Sequence, residues 1–96
     1  MLLNKEEVNK ALSGFKDWEI RENFLHKQFV FSDFKTAFAV MTNIALVAEK
    51  MDHHPDWSNV YNRLEISLNT HSEGGITEKD IKLAKEIEKI SSAYIK

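Results

Sequence analysis

Hydrophobic residues near the start of the chain recur every three or four positions, the spacing of one helix face. Asn4 and Glu7 begin this run in the arrangement of a capping box, and Gly14 marks its predicted end. Further along, apolar residues alternate with charged ones around Trp18 and Ile20, and the run FLHKQFVF is rich in aromatic and β-branched residues. The pattern therefore predicts a helix followed by an antiparallel hairpin.

The longest periodic segment predicts the main helix of the fold. Ser32 is its predicted N-cap and Asp33 a first-turn acid. The predicted buried face consists of apolar residues at helical spacing: Phe34, Ala37, Phe38, Met41, Ile44, Ala45 and Ala48. Pro55 disfavours helical backbone at the residue before it, so we expect the helix to end between Met51 and His53. The two adjacent histidines would then lie in a loop.

The remaining sequence predicts two more strands and a last helix. A short strand is expected to begin at Val60, residues 61–62 allow a turn or bulge, and residues 64–68 alternate between apolar and polar. The glycines at 74–75 permit backbone angles closed to other residues, and a last helix opens at Thr77. The order helix, two strands, helix, two strands, helix is typical of an α+β fold. We expect a single-domain antiparallel sheet of about four strands with three helices packed on one face.

Length and composition limit the possible functions. A chain of 96 residues with 43% hydrophobic content predicts one domain over residues 1–96. A net charge of -2, with lysines dispersed among acids, argues against direct nucleic-acid binding. The absence of cysteine removes thiol nucleophiles and thiolate zinc sites and fits a reducing compartment. No apolar run approaches the roughly 20 residues of a membrane span, so we expect a cytoplasmic protein without membrane contact.

Three of the four histidines lie at predicted loops or element ends. His53 and His54 stand before Pro55 and near Trp57, which is predicted to lie in a loop, while His71 follows a strand end. Adjacent histidines can simply be favourable charges at a helix C-terminus. A rigid proline and a flat indole beside imidazoles also suit a site that holds a heteroaromatic ligand next to proton-transfer groups. The residues alone leave both interpretations open.

A metal site would be the main alternative chemistry, because imidazoles and the acids Glu49, Asp52 and Asp56 are possible ligands. The histidines follow neither H-x-x-x-H nor H-x-H spacing, so we predict no metal. Ser58 and Ser67 lie in no nucleophile-elbow sequence. General acid/base catalysis by imidazoles is the chemistry that remains.

Two segments carry a close resemblance to a known family. EKMDHHPDWSNVYNRLEISL and THSEGGITEKDIKLAKEIEKI contain a His-His-Pro-x-Trp, an Asn-x-Tyr-Asn, a Thr-His, a Gly-Gly and a Thr-x-x-Asp, and together cover nearly half of the chain. This constellation resembles the pterin-4a-carbinolamine dehydratases, which are also dimerisation cofactors of a homeodomain transcription factor in animals. The resemblance implies dehydration of 4a-hydroxytetrahydropterin to quinonoid dihydropterin, with the pterin as substrate and no cofactor. The enzyme would support recycling of the pterin used by an aromatic amino acid hydroxylase, a possible partner.

The resemblance also implies roles for individual residues. His53, His54 and His71 match the family's active-site histidines, with His53 and His71 as the predicted acid/base pair and His54 as the residue that orients the pterin. The positions implied to bind or shape the substrate are Glu49, Pro55, Trp57, Thr70, Ser72 and Asp80. Asp80 is equally well explained as the N3 capping acid of the last helix.

A binding module is the alternative to an enzyme. The apolar helix over residues 34–48 has more hydrophobic surface than a small sheet needs to cover, which suits assembly between helices. The resemblance implies a homodimer or homotetramer built with such helices. A non-catalytic, helix-mediated interaction module is therefore the second hypothesis.

Overall fold

The computed structural model describes residues 1–95, and within them it confirms the predicted α+β order. The helices are α1 (Lys5–Ala11), α2 (Phe34–Met51) and α3 (Glu78–Ser92). The strands are β1 (Glu19–Arg21), β2 (Phe24–Val30), β3 (Asp56–Val60) and β4 (Arg63–Leu68), with a short 3-10 helix at His71–Glu73. Lys96, the last residue of the predicted domain, lies outside the described residues.

The strands form one antiparallel sheet in the order β1-β2-β4-β3. Two hairpins therefore meet along β2 and β4, where Leu25 is opposite Leu68 and Phe29 is opposite Leu64. These four side chains are fully or almost fully buried, because alternate residues of both strands point to the same face. That face forms the core with α2 and α3, which pack against each other.

The start of α2 differs from the prediction by one residue. Asp33, not Ser32, is the N-cap, and its carboxylate accepts a 2.8 Å hydrogen bond from the backbone N–H of Thr36. Hydrogen bonds from the side chain and the backbone of Thr36 lower the pKa of Asp33 below its ordinary value of 3.8. The helix thus begins with an ionised cap at its positive end.

The buried face of α2 is also narrower than the prediction. Ala37, Ile44 and Ala48 are buried as expected, but Val40 joins them and was not in the predicted face. Phe34 and Phe38 are 49% and 55% exposed, and their rings lie 5.7 Å apart between centroids. The apolar residues of this helix therefore form two surfaces, one buried in the core and one exposed to solvent.

Strand β3 lies earlier in the chain than predicted. It begins at Asp56 and ends at Val60, where the prediction placed its beginning, and Tyr61 then takes a left-handed conformation with φ of 52° in the turn. Trp57 consequently lies in an edge strand opposite Ile66, not in a loop. Its indole is half-buried and packs against the core.

A partly buried ion pair connects α3 to the first hairpin. Lys27 Nζ lies 2.5 Å from Glu88 Oε2, and the indole N–H of Trp18 donates to the same oxygen at 2.9 Å. The ammonium also lies 4.5 Å from the centroid of the Phe29 ring.

None of the helices within residues 1–95 is long and apolar enough to cross a membrane.

Candidate active site

The end of α2 fixes the backbone of the histidine pair. Asp52 adopts a left-handed conformation with φ of 53°, which aspartate tolerates better than most residues. The next amide, that of His53, donates to Ala48 O at 3.0 Å, the hydrogen bond of a Schellman motif. The helix therefore ends at Met51, within the predicted limits, and the chain turns sharply just before the histidines.

His53 is held by a buried carboxylate. Its Nε2 lies 2.6 Å from Oδ1 of Asp80, which is 0% exposed. The other carboxylate oxygen of Asp80 accepts the hydroxyl of Thr70 and the backbone N–H of Thr77, both at 2.9 Å. A carboxylate oxygen accepts from an imidazole N–H, so this contact assigns the proton to Nε2 of His53 and leaves a lone pair on Nδ1.

The structure confirms the capping role of Asp80 and adds a contact with a cleft histidine, while its role in binding the substrate stays a prediction. Asp80 completes the capping box of α3 with Thr77, as predicted for an N3 acid, and it also contacts His53 from a position 27 residues further along the chain. The charge is buried with three donors around it, which compensates its lost hydration. Asp80 therefore couples the start of α3 to the orientation of an imidazole.

His54 has a different environment. Its Nε2 lies 2.7 Å from Oε1 of Glu49, one turn back on α2, and the two side chains are 56% and 81% exposed. Water screens a pair of this kind strongly, so the contact orients the ring weakly. His54 is therefore the solvent-facing member of the adjacent pair.

His71 reaches the same region from the far end of β4. It begins the 3-10 helix that ends at Glu73, and the C-cap residue Gly74 takes a left-handed φ of 75°. The backbone is closed by a bridge between Thr70 and Gly75, with Thr70 N donating to Gly75 O at 2.8 Å. His71 Nδ1 lies 2.8 Å from the amide oxygen of Asn69.

These three imidazoles line one open cleft of about 500 Å³. The cleft lies between the loop after α2, the start of β3 and the end of β4, and its walls are formed by Asp52, His53, His54, Pro55, Asp56, Ser67, Asn69 and His71. The cleft is the right size for a small flat ligand. Imidazoles that line one cleft can give a proton to one atom of such a ligand and take a proton from another.

The structure separates the predicted binding residues into three groups. Pro55 lies in the cleft wall with the histidines, while Thr70 and Asp80 lie buried behind His53 and Glu49 lies behind His54. Trp57 and Ser72 do not line the cleft: Trp57 packs against the core, and Ser72 is exposed on the 3-10 helix. Direct contact between these side chains and a substrate stays a prediction.

Sequence reasoning missed the part played by β4. Ser67 and Asn69 line the cleft, and Ser67 is paired across the sheet with Asp56, another cleft residue. Ser67 alternates with buried residues of β4 and so faces away from the core, whereas Asn69 and His71 follow the end of the strand. The sequence prediction ends the alternation at Leu68, the last buried residue of the strand.

The described residues outside the cleft hold the fourth histidine and no metal-binding group. His26 is 8% exposed in β2, with its ring nitrogens 3.9 Å from Glu19 and 3.7 Å from Glu65. Within residues 1–95, no cluster of three or more His, Asp or Glu side chains has an arrangement that could hold a metal ion.

The fold and the site define a small α+β domain with three imidazoles around a ligand-sized cleft. The family model described as "Pterin 4 alpha carbinolamine dehydratase" matches residues 1–90, and the chain belongs to this family. A relative from Chelativorans sp. (strain BNC1) is 49% identical over 87 residues, covering 88% of this chain and 89% of the relative. One from Christiangramia forsetii is 51% identical over 88 residues, covering 92% and 91%. Both carry the name pterin-4-alpha-carbinolamine dehydratase as a provisional designation.

Two solved structures resemble the fold. The crystal structure of a "transcriptional coactivator/pterin dehydratase" from Brucella melitensis superposes with a TM-score of 0.89 at 44% identity, over 94% of this chain and 98% of that one. A "pterin dehydratase-like protein" described as a RuBisCO assembly factor in the alpha-carboxysome gives a TM-score of 0.65 at 18% identity, over 77% and 88% of the chains. The second likeness concerns the fold alone.

Proposed function

We propose that this protein dehydrates 4a-hydroxytetrahydropterin to quinonoid dihydropterin by general acid/base catalysis. The observation that carries the proposal is the convergence of His53, His54 and His71 on one cleft, although the first two follow the end of α2 and the third follows the end of β4. Membership of the pterin carbinolamine dehydratase family supports the substrate class. The pterin is the substrate, so the step needs no separate cofactor.

The chemistry requires two proton transfers at neighbouring atoms of the pterin ring. The hydroxyl on C4a takes a proton, the C4a–O bond breaks, and its electron pair leaves with water. The neighbouring ring nitrogen, N5, loses its proton, and the electrons of the N–H bond form the C4a=N5 double bond. One group of the enzyme gives a proton and another takes one, so no net proton is consumed.

His53 and His71 are the proposed acid/base pair. Asp80 accepts from Nε2 of His53 and Asn69 accepts from Nδ1 of His71, so each ring has one orienting hydrogen bond and one nitrogen left for chemistry. His54 is more exposed and is paired with Glu49, which suits it to orient the pterin or its hydroxyl. Pro55 would fix the wall against which the flat ring lies, and the chain near Thr70–Ser72 would receive the polar edge of the pterin.

A stopped-flow assay tests this proposal with 4a-hydroxytetrahydropterin generated in situ. Wild type is compared with His53→Ala and His71→Ala, and His26→Gln serves as the matched control because this histidine lies outside the cleft. We expect about 100-fold or greater loss of the catalysed rate in each cleft variant and a rate near wild type in the control. Folded wild-type protein that does not accelerate dehydration would refute the proposal.

A second function rests on the open surface of α2. Phe34, Phe38 and Leu46 are 49%, 55% and 66% exposed, which is unusual for large apolar side chains on one helix. We propose that a second copy of this chain covers them, since equivalent faces of identical helices can pair about a two-fold axis. The coactivator description of the Brucella relative agrees with a protein-binding role.

Sedimentation analysis tests this second proposal directly. Wild type is expected to sediment as a dimer or tetramer, and Phe38→Glu is expected to shift it to smaller species by burying a charge in the interface. Asn9→Glu, at an exposed position of α1, adds the same single negative charge away from this surface and is the control. Wild type that stays monomeric at high concentration would contradict the proposal.

A further inference from the structure

The side chain of Asn69 is hydrogen-bonded to an imidazole of the cleft. Neither the sequence motifs nor the roles implied by the family include this residue. Its amide oxygen lies 2.8 Å from Nδ1 of His71, and both residues line the cleft. A carbonyl oxygen can only accept, so Nδ1 of neutral His71 carries the proton and Nε2 is left with a lone pair. The tautomer of His71 is therefore set two residues earlier in the chain.

The two proposed proton-transfer histidines thus work through opposite ring nitrogens. His53 is bound by Asp80 at Nε2 and keeps Nδ1 for chemistry, whereas His71 is bound by Asn69 at Nδ1 and keeps Nε2. Their partners also differ in charge: the partner of His53 is a fully buried carboxylate and the partner of His71 a half-buried neutral amide. A carboxylate favours the charged imidazolium, while a neutral amide gives it much less stabilisation.

We propose that Asn69 is a positioning residue that makes His71 the acid of the pair, opposite His53 as the base. The inference rests on the proposed dehydration, in which the base ends the step charged and the acid ends it neutral. Asp80 stabilises the charge that His53 acquires, and Asn69 does not stabilise the charge that His71 gives up. The neutral partner therefore speeds proton donation to the departing hydroxyl.

Other titratable groups near His71 can also affect how the dehydration rate depends on pH. Asp52, His53, His54 and Asp56 face the same cleft from the loop after α2 and the start of β3. On its own 3-10 helix, Glu73 is ion-paired with the N-terminal ammonium at 2.5 Å. These groups are unchanged in variants at position 69, so differences between those variants report the partner of His71.

The test uses Asn69→Ala and Asn69→Asp, with Asn9→Asp on the exposed surface of α1 as the control for added charge. Long-range ¹H–¹⁵N spectra of the imidazoles give the tautomer of His71 in the resting protein, independently of any activity. We expect the Nδ1–H form in wild type and Asn69→Asp, and a shift towards Nε2–H in Asn69→Ala. A dominant Nε2–H form in wild type, or no change in Asn69→Ala, would overturn the proposal.

The pH profile of dehydration tests the assignment of the acid. Loss of the orienting bond in Asn69→Ala should lower kcat about 10-fold, in the range for residues that orient a functional side chain. Asn69→Asp keeps the tautomer but favours imidazolium, so the fall in rate at high pH should move up by about one pH unit. If the tautomer responds as expected and the high-pH limb does not move, His71 is not the acid. If wild type shows no dehydratase activity, the spectra still decide the Asn69–His71 contact and the failure lies with the proposed reaction.

Discussion

Asp80 Oδ1 lies 2.6 Å from Nε2 of His53, and the same carboxylate caps α3 through the backbone N–H of Thr77. One side chain thus belongs both to the fold and to the proposed site. A histidine at the end of α2 is held by the start of α3, and these two helices pack against each other in the core. Packing of the helices therefore fixes the orientation of the imidazole.

Asp80→Asn is expected to invert the tautomer of His53. The amide oxygen can still accept from Thr70 and Thr77, which leaves the amide N–H₂ facing Nε2 of His53 and forces that nitrogen to accept. We expect a 10- to 100-fold lower rate of dehydration and a free energy of unfolding lower by about 1–2 kcal/mol. Glu78→Gln, the same change at an exposed position of α3, should leave both quantities near wild type. An Asp80→Asn protein with full activity would exclude a role of this carboxylate in catalysis.

His54→Ala is expected to weaken substrate binding more than chemistry. An orienting hydrogen bond made equally in the ground state and the transition state contributes to KM and not to kcat. Loss of one such bond corresponds to about a 10-fold higher KM. Steady-state kinetics separates the two constants, and Glu49→Gln should show a smaller effect in the same direction because its pair with His54 is exposed. A fall in kcat as large as that of His53→Ala would place His54 among the proton-transfer groups.

The ion pair between Lys27 and Glu88 is expected to stabilise the fold without affecting the site. The side chains are 11% and 15% exposed, so Glu88→Ala leaves a partly buried ammonium and an indole N–H without their acceptor. We expect the free energy of unfolding in urea to fall by about 2 kcal/mol, with an unchanged dehydration rate in the folded variant. Glu86→Ala on the same helix removes a carboxylate that has no ion pair within residues 1–95, so its stability should stay close to wild type.

We expect Asp33 to contribute to the free energy of unfolding in a way that depends on pH. Because hydrogen bonds from Thr36 lower its pKa in the folded state, the stabilisation is present above the ordinary value of 3.8 and is lost as pH falls below it. The difference between wild type and Asp33→Ala in urea midpoint should therefore shrink as pH is lowered through about 4. Ser32→Ala is the control, since Ser32 precedes the true N-cap. An equal difference at pH 7 and pH 3 would mean that ionisation of Asp33 does not contribute.

The helices were predictable because their signals are local. The capping boxes at Asn4 and Thr77 are both present, and α2 ends where Pro55 and the preceding residues predicted. Strand β3 was misplaced because polar Asn59 takes a half-buried position and apolar Val60 an exposed one, so no apolar alternation marks this edge strand. The prediction therefore placed Trp57 in a loop, whereas in the structure it lies in the sheet.

The convergence of the three histidines was easier to predict than their hydrogen-bond partners. His53, His54 and His71 were found from an unusual local constellation, and the cleft brings them together. The contact between His53 and Asp80 spans 27 residues and depends on how α2 packs against α3, which no local pattern contains. Asn69 is a local partner, but a short polar residue after the last buried position of β4 carries little signal of its own.

The central claim is that the cleft histidines together catalyse dehydration, and a double-mutant cycle of His53→Ala and His71→Ala in single-turnover stopped flow tests it most directly. If the two residues act as one acid/base unit, the double variant should be only slightly slower than the slower single variant, because either loss already removes the concerted route. Losses that multiply would show that the residues act independently. Single variants as fast as wild type would contradict the account altogether.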